Sequence, residues 1–290
     1  MGFDNAYEAI TEDNDEARWA YGTGFTDPLA GLDTTVPSDV DSADLAAYCL
    51  MLGDDALIAS HRLQEWCSWG PELEDDVALA NIGLDLLGQA RLLLTRAGKA
   101  DGTDRDDDAF AYFRGEPDFR NVRLVEVPNG DFAFSMARLL VFATFRLALL
   151  DRLTGSLDPV LAAVATKGVK EVTYHRDYAA GWVVRLGDGT ALSHQRMQDG
   201  LDGIWPLVGE LFQPHPIEQR LAAAGVGVDP GTLREEFDAV VGQVVSAATL
   251  TLPPAGPTGL SGRDGVHSPS LGPLLAEMQS VARAHPEGTW

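Results

Sequence analysis

Cysteine is almost absent from the 290-residue chain, which has only Cys49 and Cys67. Two thiols are too few for a disulfide framework, or for a zinc or iron–sulfur site built on cysteine. Basic residues are also scarce: 21 Lys and Arg stand against 44 Asp and Glu, for a net charge of −23. This balance argues against nucleic acid and anionic membrane as partners, because both are drawn to basic surfaces. No apolar run approaches the roughly 20 residues that cross a bilayer without meeting a charge. The acidic opening, MGFDNAYEAITEDNDEAR, has neither the basic start nor the apolar centre of a secretory signal. A Gly-x-Ser-x-Gly elbow and a Gly-rich phosphate loop after a strand are both missing. These absences lead to the expectation of a soluble, cytoplasmic protein.

What is present is helical periodicity. Residues 1–42 hold many Asp, Thr, Gly and Pro without sustained period, which predicts a flexible acidic arm ahead of a domain over 43–290. From Ser42, the apolar positions Leu45, Tyr48, Cys49, Leu52, Ala56, Ala59 and Leu63 recur in steps of three and four, predicting a helix that ends near Cys67. A second helix opens at Pro71, with acids in its first turn, and runs to Gly98. Asp131 caps a third helix and Asp158-Pro159 opens a fourth that stops at Gly187-Asp-Gly189. A fifth helix is predicted over Ser193–Phe212, with smaller ones at Pro216–Ala224, Pro230–Ala248 and Leu271–Ala284. LVEV at 124–127 is the only strand-like run. Two antiparallel helix pairs joined by a long crossover, with extra C-terminal helices, define an all-α, ferritin-like four-helix bundle.

Such a bundle commonly holds two irons on a Glu from each of two helices plus Glu-x-x-His from each of the other two. Here the required positions carry the wrong chemistry. Leu86 and Gln89 stand where the second helix needs a carboxylate and an imidazole. The third helix has no acid between Asp131 and Asp151. In the fourth, Glu171 and His175 are four apart, and Val172 occupies the position three before the histidine. An antiparallel register pivoting near Trp69 sets Gly53–Ala56, with Asp54 and Asp55, opposite Leu86. The expected outcome is a bundle that has lost its metal centre. Asp54 or Asp55, Asp85, Gln89, Glu171 and His175 form a buried hydrogen-bond network in one reading. Surface exposure and a residual single ion are the others. Cys67 reads as a packed thiol, and His194, His215, His267 and His285 as isolated loop or helix-end residues.

The residues also carry a likeness. RLQEWCSWGPELEDDVALANIGLDLLGQARLLLTRAG (62–98), NVRLVEVPNGDFA (121–133), KEVTYHRDYAAGWVVRLGDGT (170–190), RMQDGLDGIWPLVGELF (196–212), VDPGTLR (228–234) and LGPLLAEMQ (271–279) resemble the PaaC-type subunits of bacterial phenylacetyl-CoA 1,2-epoxidases over about residues 43–290. The resemblance implies a structural subunit with no cofactor of its own, packed on a PaaA-type subunit that holds the di-iron centre. It implies that the complex forms a ring epoxide with O2 and with NADPH electrons from a reductase subunit, PaaE. It further implies shared binding of phenylacetyl-CoA, for which Asp118, Phe119, Arg120 and Asn121 and the Gln219, Arg220 and Leu221 turn offer cations and apolar surface. Trp66, Trp69, Phe142, Phe145, Trp182 and Trp205 read as interface or as core. The competing hypotheses are an independent di-metal oxidase or storage bundle and a stand-alone CoA-binding protein.

Overall fold

The computed structural model describes residues 29–254, 256, 259 and 261–288, and among these the chain is all-α with no strand. The long helices are α1 (Ser42–Gln64), α2 (Leu73–Ala100), α4 (Phe132–Leu153) and α5 (Pro159–Gly187), with the six-residue α3 (Asp107–Tyr112) in the crossover. Then follow α6 (Ala191–Val208), α7 (Pro216–Ala223), α8 (Arg234–Ala247) and α9 (Leu271–Ala284). Helix starts follow the capping chemistry, since a side-chain oxygen ahead of the first turn accepts an otherwise orphaned N–H. Asp41 accepts from Ala43 and Asp44, Asp131 from Phe134, and Asp158 from Leu161.

Several boundaries differ from expectation for local reasons. α1 ends at Gln64, not Cys67, and the next residues coil in tight turns with Ser68 at φ 71°. The Asp76 carboxylate holds these turns by accepting from the N–H groups of Ser68 and Gly70. Cys67 and Trp69 are therefore exposed on the turn, and neither is packed. α2 does not stop at Gly98. This glycine lies so close to the Arg105 carbonyl that a side chain would clash, and the helix continues to Ala100. LVEV is not a strand. Arg123–Val125 forms a 3-10 turn: Val125 N–H donates to the Val122 carbonyl and Glu126 N–H to the Arg123 carbonyl, while carboxylates hold the start of the turn, Val122 N–H donating to Asp55 and Arg123 N–H to Glu210.

α1 pairs with α2 and α4 with α5, and α6 and α8 pack on the second pair. α4 and α2 both have the length and hydropathy of a bilayer-spanning helix, contrary to the expectation that no segment reaches it. For α4 the physical reason is position: 89% of its most apolar window is buried by neighbouring helices. For α2 only 50% is buried. Residues 1–28 of the expected arm lie outside the described residues. Within 29–41, Leu29 is buried, Val36 and Val40 pack on the core, and the Thr34 carbonyl accepts from Arg96.

Candidate functional site

The bundle centre is built around a cation, where the sequence pattern had pointed only to missing acids. Arg146 of α4 is buried, and its Nε donates to Gln89 Oε1 at 2.9 Å while Nη1 reaches the Leu52 carbonyl at 3.3 Å. Gln89 in turn donates from Nε2 to Glu171 Oε2 at 2.8 Å. One amide thus links a guanidinium on α4 to a carboxylate on α5. Burial pushes the Arg146 guanidinium down to about 10, and the negative charges of Asp55 and Glu171 oppose that shift. It stays protonated at neutral pH. Leu86 and Val172 are core residues. A sequence signal for Arg146 exists: apart from Arg152 in its last turn, α4 has only Arg138 and Arg146 as cations in an otherwise apolar helix.

His175 and Asp85 form a second, separate pair, with Nε2 and Oδ2 3.0 Å apart. Burial holds the imidazole below its ordinary value against the pull of Asp85, so neutral His175 donates from Nε2 to the carboxylate. Asp54 and Asp55 do not join either group, which corrects the expectation of one network. The register explains why. Gly53 faces Leu93 and Leu94, and Ser60 Oγ donates to the Gly83 carbonyl, so Leu86 lies opposite Leu57–Ser60 instead of Gly53–Ala56. Among the described residues, no three of His, Cys, Asp and Glu come together as a metal-binding group. The donors present do not fit a dinuclear centre.

Asp54 and Asp55 hold the crossover and the C-terminal loop against α1. Asp54 receives the Arg114 guanidinium, with Nη1 at 3.0 Å from Oδ2, and the Arg120 N–H at 2.9 Å. Asp55 receives Arg263 at 3.0 and 2.7 Å and the Val122 N–H at 2.8 Å. Arg263 is raised above its ordinary value: burial opposes charge, but Asp55, Glu218 and Glu210 outweigh it. Glu126, also buried, accepts from Asn121, from Ser268 N–H and Oγ, and from His267 Nδ1 at 2.7 Å. His267 is therefore not an isolated loop residue. Its proton is held by Glu126 despite burial, which raises its pKa.

The two stretches expected to meet substrate lie on the same side as this clamp. Asp118 is exposed and accepts from the Gly115 N–H. Phe119 is fully buried beneath the Arg114 guanidinium, 4.2 Å from its ring centroid, so its face is closed to an adenine. Arg120 is half-buried and donates from Nη1 to the Arg263 carbonyl, while Asn121 is buried. On α7, Gln219 is exposed, Leu221 is buried, and Arg220 makes a solvent-exposed two-pronged pair with Asp44. Between them is His215, the α7 cap. Burial pushes its imidazole down and Asp264 opposes it. The charges of Arg120, Arg263 and Arg220 act in the same direction as burial. Arg120, Arg263 and Arg220 thus all act on His215, but Arg263 is paired with Asp55 and Arg220 with Asp44. Of the aromatic residues considered for an interface, Phe142, Phe145 and Trp205 are core, and Trp66 and Trp182 pack edge-on against Phe132.

The chain also has identifiable relatives. The family model of the phenylacetic acid catabolic proteins, whose label joins PaaA and PaaC, matches residues 31–290. The C subunit of the 1,2-phenylacetyl-CoA epoxidase of Escherichia coli (strain K12) is 46% identical over 246 residues, covering 85% of this chain and 99% of that relative.

Proposed function

The chain belongs to the phenylacetic acid catabolic protein family, and on that premise we propose that it is the non-catalytic structural subunit of a phenylacetyl-CoA 1,2-epoxidase in aerobic, cytoplasmic phenylacetate degradation. Its role is to brace a PaaA-type catalytic subunit and to assist in binding the CoA thioester. The observation that carries this reading is Arg146, with Gln89, in the centre of the bundle. A dinuclear iron site needs several carboxylates converging on two cations. Here a permanent guanidinium and a neutral amide fill that space, with Glu171 as the one acid bonded to the amide, while Asp85, Asp54 and Asp55 bond to other partners.

The oxygen-activating irons then belong to the partner, and NADPH electrons reach them through the reductase subunit. This chain contributes rigidity. α4 and α5 are fixed by buried side chains, and the crossover is tied to α1, so the surface offered to the catalytic subunit is preorganised. Arg120 and Arg220 are the cations placed to meet the phosphates of CoA, whose long-range attraction to a −23 chain is otherwise unfavourable.

Co-expression with the PaaA-type and reductase subunits tests the proposal. The expected result is co-purification, phenylacetyl-CoA epoxidation only with all components present, and no stoichiometric iron in the isolated chain. Two tightly held irons per isolated chain would instead make it an independent di-metal oxidase or storage bundle. Within the assembled complex, Arg120→Ala with Arg220→Ala should raise KM for phenylacetyl-CoA with little change in kcat. An unchanged KM removes the substrate-binding part of the proposal.

A further inference from the structure

α2 carries two apolar stripes, and the bundle uses one. Leu79, Ile82, Leu86 and Leu93 are buried inside. On the opposite side, Leu73, Val77, Ala80 and Leu84 follow one another in steps of four, three and four, the spacing of a helix–helix seam, and Leu87 beyond them packs partly on the core. Leu73 is 74% exposed and Leu84 58%. Beside this stripe, α5 runs antiparallel and adds Tyr174, 49% exposed. Two glycines continue the face, Gly88 one turn after Leu84 and Gly181 two turns after Tyr174. A methyl group at either would meet no atom within 4 Å, so another backbone can approach closely there.

We propose that this face, the outer stripe of α2 with Tyr174 of α5, docks an apolar α-helix of the catalytic subunit's bundle. The inference rests on the function proposed above and specifies its partner surface. Three observations select this occupant. A four–three repeat fits the ridges of a helix, whereas an added strand needs a period of two and a free edge. The matching family joins two subunit types, so a partner of the same bundle architecture is available to pair helix against helix. The rim is polarised: exposed Glu72 and Glu74 flank the Leu73 end, and exposed Lys167 and Lys170, two of the chain's three lysines, flank the Gly88 end. That rim selects a helix with basic residues at one end and acidic residues at the other, and so fixes its direction. A second copy of this chain would instead bring −23 against −23.

The test compares two substitutions of one kind. Gly88 and Gly242 are both helical, and both open onto free space, but Gly242 lies on α8. Neither Gly88→Trp nor Gly242→Trp should change the circular dichroism or the melting temperature of the chain by itself. Titrated with the purified PaaA-type catalytic subunit, Gly88→Trp is expected to weaken association at least tenfold, and Gly242→Trp to bind like wild type. Leu84→Arg, at an exposed position, is the second probe and should act in the same direction. Wild-type affinity in both Gly88→Trp and Leu84→Arg overturns this surface while leaving the proposed function standing. A wild-type chain that binds no epoxidase subunit overturns the function itself. Loss of a self-dimer, with binding to the catalytic subunit intact, assigns the face to a second copy and overturns the stated occupant.

Discussion

The protein buries charge in two regions, and they are built on different terms. At the clamp, the carboxylates of Asp54 and Asp55 each receive a guanidinium and a backbone N–H from a distant segment. At the bundle centre, Arg146 bonds among the described residues only to neutral oxygens, from Gln89 and Leu52, and its Nη2 reaches no acceptor among them. A buried cation without a directly bonded carboxylate is poorly compensated, while a closed ion pair that also satisfies backbone donors is tied to the fold's connectivity. The clamp therefore maintains chain topology. The centre is a space filled with polar groups that the topology does not require.

The largest contrast should come from replacing each site with apolar side chains. Asp55→Ala leaves Arg263 buried without its counter-charge and is expected to cost about 3–5 kcal/mol in urea unfolding. The double variant Asp55→Leu with Arg263→Met should remain destabilised by about 2 kcal/mol, because the Val122 N–H has lost its acceptor. Arg146→Met with Gln89→Leu should instead fall within about 1 kcal/mol of wild type. If the centre proves as costly to replace as the clamp, the distinction fails.

A smaller contrast is in pH dependence. His267 has a raised folded pKa, so its stabilising contribution is complete below about 6.5 and is lost as pH rises through the folded value. His175 has a lowered folded pKa, so its contribution is present above about 6.5 and is lost as pH falls through the folded value. Stability measured against pH for His267→Gln and His175→Gln should therefore differ from wild type with opposite slopes. Equal slopes would show that the two histidines do not titrate as their partners dictate. The smallest effect belongs to Arg220→Ala. Its pair with Asp44 is solvent-exposed, so the melting temperature should not move measurably, and any change in substrate KM can be assigned to binding.

The helices were legible because their causes are local. Asp131 and the Asp158-Pro159 pair mark the starts of α4 and α5 within a residue, and the three–four spacing from Leu45 sets the buried face of α1. The centre was half legible. Leu86, Gln89 and Val172 showed that the acids and imidazole were missing, but nothing in a carboxylate pattern points to the guanidinium of Arg146 that replaces them. The clamp was illegible. Asp55 and Arg263 are 208 positions apart, and no periodicity in either neighbourhood points to the other. The LVEV run misled for a related reason, since the turn that carries it is anchored just ahead, at the N–H groups of Val122 and Arg123, by Asp55 and Glu210, far away in sequence.

That 208-residue separation also has a consequence during synthesis. A ribosome delivers α1 and α2 early, and domains begin to fold as they emerge. Until residue 263 has left the exit tunnel, Asp55 belongs to a helix pair ready to pack but lacks the guanidinium that bonds to it directly. Any nascent or truncated product that stops short of Arg263 keeps that charge uncovered. The C-terminal segment from Arg263 onward thus completes the pairing of Asp55 only once synthesis is nearly finished.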